Sequence, residues 1–297
     1  MHRPDLARKA FLDACRLDVE TAKPGNVSVD RAGHGMSASQ FIASAEASVD
    51  ALFAHGKPVG ERILDAVIRT RQAVGCNTNL GILLLVAPLA AALDKPDAHA
   101  SAHAWHAATE CVLAALTIDD ARHAYHAIAL ANPGGLGDAP EQSVHALPTV
   151  TLREAMRLAA SRDSIARQYA KGFHDVFFTG LAAIESWSAD AAPGTTPDTT
   201  VTLDLYLTYL SRWPDSHIVR KHGEHVAQSV TQDAGLRHAR WRADAIHARD
   251  ACQHAYPSDL AEWDLALKSR GINPGTSADL TVATLFVSRC LTSASNG

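Results

Sequence analysis

Gly75-Cys76-Asn77-Thr78-Asn79-Leu80-Gly81-Ile82-Leu83-Leu84-Leu85-Val86-Ala87-Pro88-Leu89-Ala90-Ala91-Ala92-Leu93 passes without transition from a polar break into an apolar run. The run has no polar/apolar alternation and is rich in Leu and Ala, which predicts a buried helix over 80–93 with Asn77 and Thr78 at its entrance. Gly81 to Leu93 is only thirteen residues and carries Pro88, whereas a bilayer needs about 20. The run therefore belongs to a protein core, not to a membrane.

Working outward, helical periodicity recurs along most of the chain. Residues 6–20 place Ala7, Ala10, Phe11, Ala14 and Leu17 on one stripe and stop before Pro24-Gly25. Ser37-x-x-Gln40 reads as a capping box for a helix over 38–53. Further helices are predicted over 62–74, 98–116, 118–130, 151–160, 163–171, 203–212, 224–255 and 260–270. A last helix should be capped by Thr276 with Asp279 at its third position. Phe173, Phe177 and Phe178 form a bulky patch, residues 216–223 a basic segment, and 189–200 a Pro/Thr/Ala-rich surface loop, the one candidate boundary. The fold expectation is all-α: a compact multi-helix bundle, one domain over 1–297, with polar active-site loops at helix ends.

Composition supports this. Apolar residues are 47% and aromatic residues 6% of 297, so small side chains let helices approach closely. With 27 Lys+Arg against 32 Asp+Glu the net charge is -5, which argues against a nucleic-acid partner. Five cysteines, none in a Cys-x-x-Cys pair, read as small buried hydrophobes. The histidines lack metal-ligand spacing and no Gly-x-Ser-x-Gly elbow is present. The N-terminal segment lacks a signal-peptide core, so the expected location is cytoplasmic.

Four polar loops stand out: 20–28, 77–79, 132–138 and 273–279, with 217–222 as a fifth. Consecutive glycines at Gly134-Gly135 could turn backbone N–H groups toward phosphate, or simply make a turn. Lys23 and Lys221 read as phosphate ligands or as solvated charges. Glu20 reads as a magnesium ligand or as an i,i+4 partner of Arg16. Asp279 reads as a helix-dipole carboxylate or, with Asn273 and Ser277, as a magnesium or ribose group.

Taken together, Lys23-Pro24-Gly25-Asn26-Val27-Ser28, Gly75 through Gly81, Asn132-Pro133-Gly134-Gly135-Leu136-Gly137 and Gly271 through Leu280 resemble, in order and spacing, the triphosphoribosyl-dephospho-CoA synthase family. The resemblance runs from about residue 14 to residue 286. It implies an all-α enzyme in which the 2′-hydroxyl of dephospho-CoA attacks C1 of the ATP ribose, adenine leaves, and the triphosphate travels with the ribose. It maps the family's motifs onto Glu20, Lys23, Pro24, Gly25, Asn77, Thr78, Pro274, Gly275, Ala278 and Asp279. On that basis Glu20 and Asp279 are the magnesium-side carboxylates. Lys23, Lys221, Gly134 and Gly135 serve the triphosphate, and Asn77, Thr78, Asn273 and Ser277 complete the nucleotide site. Asp138 joins Glu20 and Asp279 in the catalytic set, with Asp215 and His217 also open as the base.

Two segments depart from the family pattern. With Met36 as register, an expected Asp falls on Gly35, and Asn79-Leu80 stands where the family has a His and a basic residue. The expected partners are ATP and a small-molecule or CoA-type acceptor, with self-association left open. The alternatives are a nucleotide or phosphoribosyl enzyme of tetrahydromethanopterin biosynthesis and a non-catalytic helical ligand-binding protein.

Overall fold

The apolar run forms a helix despite its proline, and the neighbouring side chains explain how. Pro88 has no N–H to give the carbonyl four residues back, and that carbonyl, Leu84 O, instead accepts from the Tyr169 hydroxyl at 2.6 Å. Leu89 O, near the helix end, accepts from the indole N–H of Trp105 at 3.0 Å. Both donors are fully buried, so the polar groups that the proline and the helix terminus leave open are satisfied inside the core.

The computed structural model describes residues 3–31, 35–133, 143–144, 146–190, 198–247 and 256–295. Among them lie fourteen α-helices and no strand: α1 Arg3–Glu20, α2 Ala38–Leu52, α3 Val59–Val74, α4 Leu80–Ala92, α5 Ala102–Ala114, α6 Ile118–Ala131, α7 Leu152–Ala159, α8 Ser164–Ala170, α9 Leu181–Asp190, α10 Asp198–Arg212, α11 Ser216–His222, α12 Glu224–His247, α13 Ser258–Ser269 and α14 Gly275–Ser295. No described helix is long and apolar enough to cross a membrane.

Helix α4 is buried on every side, as its unbroken apolar sequence requires. It packs on α3, α5 and α14, and α14 packs in turn on α1 and α10. Phe11, Leu85, Trp105 and Phe286 sit at the centre of this main core, with the Phe286 ring edge-on to Trp105 at 5.4 Å. A smaller core holds Tyr206, Leu210, Trp263 and Leu267 under α10, α12 and α13.

Several elements differ from the sequence expectation. The helix read over 98–116 is interrupted at Ser101, whose hydroxyl accepts from Ala104 N and starts α5 afresh. Of the phenylalanine patch, Phe177 and Phe178 lie in a wide helical turn, Asp175–Gly180, that runs into α9, and Phe173 lies in the turn before it. Helix α10 begins at Asp198, inside the stretch read as a loop; residues 191–197 lie outside the described set. The basic segment is itself the helix α11, capped by Asp215. Helix α14 starts at Gly275, so Thr276 is within its first turn and Asp279 is its fifth residue. Thr276 is thus no cap, and near the start of α14 it is Asp215 that accepts from Ser277 N and Oγ at 2.7 and 2.8 Å.

Candidate functional site

Where α1, α4, α6, α7, α8, α11 and α14 meet, they enclose a cavity of about 550 Å³, within the usual range for small-molecule sites. Its apolar wall comes from α6 and α7, including Ile128, Leu152 and Met156. Its polar side is assembled from distant parts of the chain: Asp18, Asn26, Asn77, Asp163, Arg220, Lys221, Asn273 and Asp279.

Each of these side chains is held by local geometry. Helix α1 buries Ala7, Ala10, Phe11 and Ala14, and the same stripe continues one turn further to Asp18, which is 4% exposed. Lys23, 1% exposed, folds back so that its ammonium donates to Asp18 O and lies 3.1 Å from Asp18 Oδ1. Among the described residues Oδ1 has no partner besides this ammonium and so keeps acceptor capacity toward the cavity. Burial pushes the Asp18 carboxyl up and the Lys23 amine down, and their mutual attraction opposes both shifts.

Asn77 Oδ1 accepts from Leu80 N at 3.1 Å and so caps the start of α4, while Thr78 bonds Ser44 through their hydroxyls. At the second residue of α4, Gly81 leaves room for Asp279: a β-carbon there would be 2.0 Å from Asp279 Oδ2. Burial, reinforced by the charges of Asp215, Asp18 and Asp163 and opposed by Arg220, holds the Asp279 carboxyl well above its ordinary range.

The basic side is equally fixed. Asp163 caps α8 through Oδ1 and accepts from Arg220 Nη1 at 2.8 Å through Oδ2. Arg220 Nε is shielded from solvent and has no hydrogen-bond partner. Arg162 and Lys221 are exposed at the cavity edge. Asp215 is buried and joins two helix starts: Oδ1 accepts from His217 N and Ile218 N of α11, Oδ2 from Ser277 of α14. Burial raises its carboxyl, and the Ser277 bonds oppose that rise.

The family model described as ATP:dephospho-CoA triphosphoribosyl transferase matches residues 4–296. The chain belongs to this family. It is accordingly a triphosphoribosyl transferase that uses ATP as its donor. A crystal structure from Archaeoglobus fulgidus, proposed to be a triphosphoribosyl-dephospho-CoA synthase, has the same fold at a TM-score of 0.64; the two share 24% identity over 84% of this chain and 98% of that one. No curated protein matches the chain.

Of the residues that the sequence assigned to the transferase site, Asn77, Thr78, Lys221, Asn273 and Asp279 line the cavity together. Glu20 does not: it is exposed, because it lies off the buried stripe of α1 that carries Asp18. Nor does Lys23, which is buried against Asp18, or Ser277, whose hydroxyl and amide are taken by Asp215. Gly134, Gly135 and Asp138 lie outside the described residues, although Asn132 and Pro133 before them line the cavity. Sequence reasoning passed over Asp18, Arg162, Asp163 and Arg220. The signal for Asp18 was its i,i+4 spacing from Ala14; Arg162 and Asp163 had none beyond a helix start.

The two departures from the family pattern also find their places. Met36 lines the cavity and Gly35, where the family has a carboxylate, has open space around its α-carbon. Asn79 is buried with neither side-chain polar atom bonded.

Proposed function

We propose that this cavity is the transferase active site, taking the triphosphate of ATP at Arg162, Arg220 and Lys221 and the ribose among Asn26, Asn77, Thr78 and Asn273. The acceptor is dephospho-CoA or a related CoA-type hydroxyl compound. What carries the reading is the convergence of Asp18, Asp163 and Asp279 with Arg220 and Lys221 from four separate segments on one enclosed space. A highly charged donor and a positive ribosyl transition state together call for both signs of charge at close quarters.

Magnesium is part of the proposal. Among the described residues no three His, Cys, Asp or Glu side chains form a ready metal cage. Magnesium bound with nucleotides typically takes one or two carboxylates and completes its shell with phosphates and water. Asp279 and Asp18 fit that pattern, since Asp18 Oδ1 is buried with unused acceptor capacity. Glu20, at the exposed end of the same helix, is the remaining metal-side carboxylate. Bound there, the ion would screen the triphosphate charge.

In the reaction the acceptor oxygen bonds to C1 of the ribose and the bond from C1 to the adenine nitrogen breaks. The ribosyl centre gains positive character, which ionised carboxylates nearby stabilise. The hydroxyl proton goes to a base, and the departing adenine gains a proton. His217 lines the cavity and brings an imidazole, a common proton carrier in such steps. Asp138 is its competitor, and His217→Ala against Asp138→Asn separates them. Lys23 and Ser277 act through Asp18 and Asp215.

The test is a magnesium-dependent assay with ATP and dephospho-CoA that resolves adenine, ADP and pyrophosphate and follows the acceptor by mass. Adenine release with a triphosphoribosyl adduct supports the reading. Folded, ATP-binding protein that gives neither product would sink the dephospho-CoA assignment and direct the search to pterin-linked acceptors.

A further inference from the structure

Asp264 lies on α13, outside the cavity lining, and is 1% exposed. A carboxylate so deeply buried needs partners, and it has three, two from the loop 24–31 and one from its own helix. Its Oδ1 accepts from Gly25 N at 2.8 Å and lies 3.0 Å from Lys268 Nζ. Its Oδ2 accepts from Arg31 Nη1 at 3.2 Å and from Lys268 Nζ at 3.2 Å. Lys268 also donates to Arg31 O at 3.3 Å, and the Arg31 guanidinium lies over the Tyr256 ring.

These bonds seize both ends of the loop 24–31. The loop in turn has little freedom elsewhere: Pro24 O accepts from Tyr206 at 2.7 Å, and Gly25 has a positive φ of 76° with Pro274 Cδ 2.8 Å from where its β-carbon would stand. At the next residue Asn26 Nδ2 donates to Asn273 Oδ1 at 3.0 Å, and both amides line the cavity. A continuous path of bonds thus leads from a carboxylate outside the site to two side chains inside it.

We infer that Asp264 is a positioning residue for the transferase: by clamping Gly25 and Arg31 to α13 it sets the register of Asn26 against Asn273, and through them the seat of the donor ribose. This inference rests on the reading of the cavity as the nucleotide site. It assigns a function to a buried ion pair whose contribution to stability alone would be small, because desolvation offsets attraction.

Asp264→Asn keeps an oxygen for Gly25 N and loses the charge toward Arg31 and Lys268; Asp264→Ala loses both. Steady-state adenine release and calorimetric ATP binding are measured for these variants, for Asn26→Ala and for the double variant Asp264→Ala/Asn26→Ala. The expected result is a rise in the KM for ATP of about tenfold in Asp264→Asn and a larger one in Asp264→Ala, matched by weaker ATP binding. The double variant should be no worse than Asn26→Ala within about threefold, since both changes break one path. Multiplying losses, or wild-type ATP affinity in Asp264→Asn, would overturn the inference. If Asp264→Ala fails to fold, Asp264→Asn combined with Asn26→Ala decides by the same comparison. Absence of adenine release from wild-type protein would count against the transferase reading instead, and the ATP-binding cycle would still decide the role of Asp264.

Discussion

The carboxylate of Asp279 occupies the space that a side chain on Gly81 would need: its Oδ2 atom stands 2.0 Å from the position of a β-carbon there. The glycine in the first turn of α4 is therefore a seat for an acid delivered by α14. Gly81→Ala would ordinarily favour the helix by about 1 kcal/mol. Here it should displace Asp279 by an ångström or more and lower kcat/KM for adenine release by about a hundredfold. Circular dichroism should remain that of the wild type.

Asp279→Asn should separate stability from activity. Burial, with Asp215 and Asp18 adding, raises the native carboxyl above its unfolded value, so the native state holds this proton more tightly. The associated stability is complete below the unfolded range near pH 4 and is lost as the pH rises through the raised native value. Asparagine mimics the neutral acid. The variant should have a higher urea midpoint than the wild type at pH 8, an advantage that shrinks toward pH 4, and no measurable turnover at either pH.

The two carboxylates near the end of α1 should differ. Asp18→Asn removes the acid beside the cavity and leaves the Lys23 charge buried without its partner. It should reduce turnover at least about a hundredfold and weaken magnesium dependence. Glu20→Gln changes an exposed position and should cost less than about tenfold. Magnesium titrations of adenine release on both variants check this.

Lys221→Ala should raise the KM for ATP about tenfold with little change in melting temperature, because an exposed lysine at the cavity edge contributes long-range charge and little packing. The loss should diminish at high salt, where the wild type loses the same attraction. Initial rates at two ionic strengths measure it.

Tyr169→Phe tests the core alone. It leaves Leu84 O buried with no donor beside Pro88, at a cost of about 1–3 kcal/mol. Urea unfolding should show that loss, while kcat at saturating substrates stays near the wild-type value.

The fold was legible because α4 is apolar all round and α1 is apolar on one stripe, patterns that only a helical core explains. Spacing also placed Asn77 and Asn273 at helix entrances on the cavity. What failed were features that depend on packing between distant segments. Thr276 looked like a cap, but α14 already includes it, and Asp215, some sixty residues away in the chain, reaches the helix start at Ser277 N. Glu20 was named as a metal ligand from the motif it adjoins, and Asp18 went unread; the period of α1 turns Glu20 to solvent and Asp18 inward. Lys23 appeared as a surface cation because sequence carries no signal for a side chain that folds back on its own helix end. The run 216–222 looked irregular because seven residues are too few for periodicity to speak.

Asp18 belongs to the first helix and Asp279 to the last, and α1 and α14 lie against each other. During synthesis at the ribosome, the amino-terminal helices emerge long before α14 does. The acid reaches its seat above Gly81 only once α14 has been made and has docked on α1 and α4. The proposed centre is therefore a late product of folding: a bundle assembled without α14 holds Asp18 and the empty seat, and lacks Asp279.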